Sequence, residues 1–318
     1  MHKLDMWANS EKIVFKEKFI EKYSKLTDWD EFKRYSSAYL RKCIRVNTLK
    51  ISVIDLKKRL EKDWKLDTVP WNKDAFWIEH QAEEKRWDVG NLKEHVLGYI
   101  YIQEAASMLP PLVLNPKAGD TVLDMCASPG SKTTQMAQMM ENKGIIVAND
   151  LSGTRLSPLG LNVQRCGVTN ILISISRGQH MKDIMFDKIL VDAPCSGTGT
   201  IRKSAKTILM WNENYAKKMQ HVQKQLIENA YRLLKDGGEM VYSTCTLEPE
   251  EDEEVIDYML EKYKDLKVEK ILLSGLKTSP AVMEYKNKKY NSQVKDCIRI
   301  WPQDNDTEGF FVCKLRKN

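Results

Sequence analysis

A chain of 318 residues with 42% hydrophobic side chains has enough apolar surface for a substantial core, which excludes global disorder. Charged residues make up 30% and leave a net charge of +6, a balance that fits a nucleic-acid partner without demanding one. No run of about 18 apolar residues occurs, and residues 1–6 lack the apolar centre of a signal peptide, so neither a membrane partner nor export is expected. The cysteines at 43, 126, 166, 195, 245, 297 and 313 contain no C-x-x-C pair. That scatter argues against a disulfide framework and a zinc site, and for a reducing, cytoplasmic setting.

In chain order, residues 1–40 are lysine-rich and read as amphipathic helix, with Ile13, Phe15, Phe19, Ile20 and Tyr23 among charges. Ile44-Arg45-Val46-Asn47 reads as a short strand, and 52–60 as a helix with Ser52 at its N-cap. Trp64, Trp71, Phe76, Trp77 and Trp87 then crowd a charged stretch. They fit the core of a small α+β domain better than a base-stacking surface. The pattern changes at residue 98, so two domains are expected, 1–97 and 98–318. A helical stretch at 104–109 should end at Pro110-Pro111. Apolar runs at 121–126, 144–149, 170–175, 186–193 and 239–244 alternate with helical segments at 132–140, 156–166, 213–234 and 250–263. Such alternation implies an α/β fold with a parallel, doubly wound sheet. Residues 297–300 and 310–315 break the rhythm and predict an antiparallel pair at the sheet's edge.

The first run leads into Cys126-Ala127-Ser128-Pro129-Gly130-Ser131-Lys132, a tight turn opening a helix. Gly130 permits close backbone approach, and the helix start offers free N–H groups to a ligand. The spacing fits neither a P-loop, which needs G-x-x-x-x-G-K-[ST], nor a G-x-G-x-x-G dinucleotide site. Asp150 ends the second run about twenty residues on, where a carboxylate can take ribose hydroxyls. Without a phosphate cradle, S-adenosylmethionine is the best-fitting cofactor.

Two thiols close later runs, in Asp192-Ala193-Pro194-Cys195 and Ser243-Thr244-Cys245-Thr246. Carboxyl ends of parallel strands share one edge, so these thiols and the loop should meet there. A thiol beside a methyl donor suits a carbon that needs activation, such as C5 of cytosine. A thiolate added at C6 makes C5 nucleophilic, and Asp192 can supply acid catalysis near N3. Local chemistry does not choose which thiol attacks.

These motifs, with Arg45-Val46-Asn47-Thr48-Leu49-Lys50, Tyr101-Ile102-Gln103-Glu104-Ala105-Ala106-Ser107 and Glu308-Gly309-Phe310-Phe311, resemble those of the Nol/Nop/Sun (Fmu-type) RNA cytosine-5 methyltransferases. The resemblance implies a class I methyltransferase (Rossmann-like) fold with a mixed, mostly parallel sheet and helices on both faces, after a small RNA-contacting domain. It implies that Cys245 attacks, that Cys195 assists release, and that Lys132 and Asp192 line the active site. The cofactor would be held by 126–132, Asp150, Arg155, Arg177 and Asp192. Arg177 stands where the family carries an acidic contact to adenine, and an arginine cannot accept that hydrogen bond, so weakened cofactor affinity is expected. Compact members without long extensions resemble those acting on tRNA, so tRNA is the expected substrate ahead of rRNA; a monomer is the expected state. Arg202 and Lys203 are expected at the phosphates. The competing reading is a non-catalytic RNA-binding or assembly factor that kept the fold.

Overall fold

The computed structural model describes residues 4–8, 10–82 and 86–318. The N-terminal region opens with α1 (Glu17–Tyr23) and α2 (Trp29–Ser36). Asp28 caps α2, accepting from the N–H groups of Asp30 at 3.0 Å and Glu31 at 3.1 Å. Phe19 and Tyr23, four residues apart on α1, stack with centroids 4.0 Å apart. The apolar faces of these helices bury against Trp211, Leu247 and Trp301, far along the chain.

Next come β1 (Cys43–Val46), α3 (Val53–Leu60), β2 (Trp64–Val69), β3 (Asn72–His80), α4 (Lys93–Val96) and β4 (Ile100–Ile102). Ser52 caps α3 as expected, accepting from Asp55 N–H at 3.1 Å. The strands form an antiparallel sheet in the order β2-β3-β1-β4, so the small sheet extends past residue 97. Trp64, Trp71 and Phe76 are buried in the core, whereas Trp87 is 54% exposed. Arg45 of β1 is buried and binds Gln103 at 2.9 Å, Gln138 at 2.5 Å and Thr134 at 2.9 Å, fastening the small sheet to the helix behind the Gly130 loop.

Pro110 and Pro111 do not stop a helix. They lie in the first turn of α5 (Leu109–Leu114), where the missing N–H has no helical partner to lose. The main sheet then takes β5 (Thr121–Asp124), β6 (Ile145–Asp150), β7 (Ile171–Ile175), β8 (Phe186–Asp192) and β9 (Leu234–Thr244), all parallel. The helices α6 (Ser131–Met139) and α7 (Gly153–Cys166) cover one face. After α8 (Lys206–Met210), α9 (Glu213–Leu233) and α10 (Glu253–Lys262) cover the other. The chain ends with β10 (Leu266–Glu269), the short hairpin β11 (Glu284–Tyr285) and β12 (Lys288–Lys289), β13 (Ile298–Ile300), α11 (Pro302–Asn305) and β14 (Phe310–Lys317).

The order is β10-β14-β9-β8-β5-β6-β7, with β13 beside β14. β13 and β14 are antiparallel as expected, but β14 does not lie at the edge; it runs between β9 and β10. Its apolar residues are buried by both layers, which an edge position would not provide. The strand order reverses between β5 and β8, which remain parallel, and this is the position where a doubly wound sheet opens a ligand crevice. Class I methyltransferase topology is therefore present, with an added antiparallel end.

The segment after β9 is acidic yet buried. Glu248, Glu251, Asp252 and Glu253 are each 0% exposed. Glu248 accepts from Lys22, from Tyr23 Oη at 2.8 Å and from Trp211 Nε1 at 2.8 Å. Glu251 accepts from Ser196 N–H at 2.9 Å and Gln223 at 2.8 Å. Arg299, fully buried, reaches Asp252 at 3.1 Å, Glu253 at 2.6 Å and the carbonyl of Leu247 at 2.9 Å. Buried carboxylates are tolerated only with such partners. Replacing Arg299 with leucine strands two of them, and urea unfolding should record a loss of about 3–5 kcal/mol. Arg34→Leu, which breaks an exposed pair with Glu31, should move the midpoint little.

Candidate active site

The turn from β5 to α6 is held by Gly130, whose φ of 97° lies in the left-handed region. A Cβ there would stand 2.7 Å from Leu159 Cδ1. α6 begins with no side-chain cap, so its first N–H groups face the loop without a side-chain acceptor. Asp150, at the end of β6, accepts from Ser128 N–H at 3.0 Å through Oδ2. Its Oδ1 takes Leu151 N–H at 2.7 Å and Arg155 Nε at 2.6 Å. Oδ2 keeps acceptor capacity for a further donor, such as a ribose hydroxyl. Loop, uncapped helix start and oriented carboxylate fit an adenosyl cofactor. Ala127, Pro129 and Ser131 belong to the same turn, and Pro129 carbonyl takes Asn162 at 2.9 Å. Burial pushes the Cys126 thiol pKa well up, which makes it a packing group rather than a nucleophile. Arg177, two residues beyond β7, has an exposed side chain, and its carbonyl accepts from His180 N–H at 2.8 Å.

At the crevice, Lys132 of α6 donates to Asp192 Oδ2 at 2.7 Å and to Ser107 Oγ at 3.1 Å. Burial pulls the Lys132 pKa down, but Asp192 outweighs it and leaves the ammonium above its usual value. Ser243 donates to the other oxygen of Asp192 at 2.8 Å. Asp192 is thus aimed by a cation on one side and a hydroxyl on the other.

Cys195 and Cys245 meet with sulfurs 3.3 Å apart, although fifty residues separate them. The Cys195 pKa is pushed well up, first by its hydrogen bond to Cys245 and then by burial. A thiol that keeps its proton at this distance donates it to the second sulfur.

The loops bearing the thiols are stitched together. Ser196 Oγ and Thr198 Oγ1 approach Thr246 Oγ1 at 2.8 and 2.9 Å, and Leu247 N–H donates to Thr198 at 2.9 Å. Gly199 N–H donates to the Cys245 carbonyl at 3.0 Å, while its own carbonyl accepts from Gly309 N–H at 2.9 Å. Three backbones cross here with no room for a side chain.

The sequence reading missed Ser107 and Ser243 as partners of Lys132 and Asp192, though both sit in the quoted motifs. It also misplaced Arg202. That guanidinium is buried and spans Tyr39 carbonyl at 2.8 Å, Thr307 carbonyl at 3.1 Å and Asp306 at 2.7 Å, so it braces the loop instead of meeting phosphate. Lys203 beside it is exposed. No helix among the described residues is long and apolar enough to cross a membrane.

A family model described as 16S rRNA methyltransferase RsmB/F matches residues 111–316, and one for the N-terminal domain of RsmF matches 15–105. The chain belongs to the RsmB/F methyltransferase family. The resemblance to Nol/Nop/Sun enzymes drawn from the motifs is borne out by it. The chain is 47% identical over 305 residues to a tRNA (cytosine(49)-C(5))-methyltransferase of Pyrococcus abyssi, covering 94% of this chain and 96% of that one. It is 44% identical over 285 residues to the ribosomal RNA small subunit methyltransferase F of Vibrio parahaemolyticus, covering 88% of this chain but 57% of the relative. Among solved structures, a methyltransferase homolog of Pyrococcus horikoshii matches with TM-score 0.85 at 37% identity, over 97% of each chain. The NSun6 protein of Pyrococcus horikoshii, solved with the S-adenosylmethionine analogue SFG, matches with TM-score 0.83 at 26% identity, over 96% of this chain and 99% of that one.

In this methyltransferase, Gly199→Ala tests the crossing under the thiols. The new Cβ would lie 2.2 Å from Gly309 O and 2.8 Å from Cys245 O, both backbone atoms that cannot swing aside. A displacement near 1 Å at Cys245 should cut the single-turnover methylation rate by about 100-fold. Calorimetric binding of S-adenosylmethionine should stay unchanged.

Proposed function

We propose that this methyltransferase transfers a methyl group to C5 of a cytosine in tRNA through a covalent adduct between Cys245 and C6. Family membership carries the reaction class: the chain is an S-adenosylmethionine-dependent methyltransferase of cytosine C5 in RNA. The 3.3 Å contact between the two sulfurs carries the mechanism.

Cys245 adds to C6 as its thiolate. Asp192, the carboxyl aimed by Lys132 and Ser243, hydrogen-bonds the N3 side of the ring and helps deliver the proton taken up there. Addition places electron density on C5. Residues 126–132, Asp150 and Arg155 hold the cofactor, which supplies an electrophilic methyl group. Cys195 assists release: once its own thiol proton has passed to solvent it takes the C5 proton, the Cys245–C6 bond breaks with its electron pair returning to Cys245, and the proton taken up at N3 is given back as the aromatic ring is restored. The chain spans nearly the whole tRNA enzyme of Pyrococcus abyssi but little more than half of the Vibrio rRNA enzyme, which favours tRNA.

A Cys195→Ala variant should accumulate a protein–RNA adduct that survives denaturing electrophoresis, and Cys245→Ala should form none. Adduct in the second variant alone would reverse the roles, and adduct in neither would favour a non-catalytic factor. For the cofactor, Arg177 offers no acceptor to adenine. Calorimetry should accordingly show weak but real S-adenosylmethionine binding, tightened severalfold by Arg177→Glu, whose carboxylate accepts the amino group. No heat at millimolar ligand would overturn the assignment.

A further inference from the structure

The loops after β8 and β9 run side by side and hold Cys195 and Cys245 face to face. Two residues before each thiol, Ala193 N–H donates to the Ser243 carbonyl at 2.9 Å. Beyond them, Gly199 N–H clamps the Cys245 carbonyl, and Ser196 Oγ meets Thr246 Oγ1 at 2.8 Å. A disulfide needs its sulfurs about 2.0 Å apart, so the 3.3 Å contact is roughly 1.3 Å from a covalent bond. Both cysteines are partly open to solvent, and Pro194 beside Cys195 is exposed. Cys297 and Cys313 also lie close, at 2.9 Å, but both are buried between the layers, where a solvent-borne oxidant does not reach them.

A nucleophilic thiolate that meets peroxide becomes a sulfenic acid, and without a second thiol nearby it goes on to sulfinic acid, which is not recovered. The contact between the two sulfurs supplies that second thiol. In the first step Cys245 attacks hydrogen peroxide, the O–O bond breaks, and one water leaves. In the second, Cys195 attacks the Cys245 sulfur, the S–O bond breaks, and the departing hydroxyl takes the Cys195 proton as a second water. The two thiols have lost two electrons and two protons to the peroxide. A low-molecular-weight thiol reverses the bond by exchange, two of its molecules being oxidised to their own disulfide.

We propose that Cys195 and Cys245 are a redox pair, which hydrogen peroxide closes into a disulfide that stops methyl transfer and a low-molecular-weight thiol reopens. With both sulfurs bonded, neither addition to C6 nor product release has a group to perform it. The switch rests on the cytosine-C5 reading above, since that reading makes Cys245 the attacking thiolate. The bond itself is read without any RNA.

Peroxide treatment of the full chain, followed by peptide mapping without reductant, tests the pair. Tryptic peptides 189–202 and 236–262 each hold one cysteine, and they should appear joined and lighter by two hydrogens. RNA methylation should fall at least roughly 100-fold and return to within about twofold with dithiothreitol. Calorimetric binding of S-adenosylmethionine should not change, because the bond leaves 126–132 and Asp150 untouched. The Cys195→Ala variant lacks the resolving thiol. At the same peroxide dose its capacity to form the RNA adduct should be lost and should not return with dithiothreitol, with Cys245 recovered as sulfinic acid. Absence of the joined peptides, loss of cofactor binding, or full recovery of Cys195→Ala overturns the redox pair and leaves the methyltransferase reading standing. A parent that forms the bond yet methylates no cytosine when reduced overturns the cytosine reading, and the switch with it.

Discussion

Everything at the reaction centre depends on a buried charge cluster just beyond the last parallel strand. Residues 248–253 carry five acidic side chains, and each has a partner from elsewhere in the chain. Lys22 and Tyr23 come from the first helix, Gln223 from α9 and Arg299 from β13. Carboxylates removed from water impose a severe constraint, because only donors in fixed places make their burial tolerable. The constraint transmits stiffness to the segment from Thr244 to Leu247. Arg299 holds the Leu247 carbonyl, and Asp252 holds the Thr244 hydroxyl at 2.5 Å. Cys245 sits between those two anchors.

The same cluster explains why the N-terminal helices and the catalytic layers form one piece. α1 reaches across to Glu248 and buries its aromatic face on Trp211, Leu247 and Trp301, instead of completing the small sheet. Arg45 makes the second fastening, from β1 to α6. Between these two attachments the small sheet stands beside the thiol-bearing loops. That leaves an open cleft lined by Trp87, Lys203, Glu104 and Glu308.

Much of this was legible in the chain. The five parallel strands were marked by short apolar runs, and β9 alone extended well beyond its run, back to Leu234. Turn chemistry located the Gly130 loop, and the motifs around Cys195 and Cys245 identified the family. Other elements carried no local signal. β14 reads like an edge strand, because its insertion between β9 and β10 depends on two neighbours distant in sequence. Pro110-Pro111 reads as a stop, yet proline is equally at home in a first helical turn. Arg202 reads as a surface cation, and only the carbonyls of Tyr39 and Thr307 make it a brace.

The sequence by itself determined the fold class, the chemistry available and the set of groups that carry it, because periodicity and motif spacing are local properties. Only the tertiary structure decided how those groups relate. It brought Cys195 to 3.3 Å from Cys245, so that one thiol holds its proton against the other. It also turned the acidic start of the helical segment at 250–263 into the buried anchor of the Cys245 loop. Both outcomes arise from burial and long-range pairing, and the free energy of a charge out of water is set by partners that no local stretch of sequence contains.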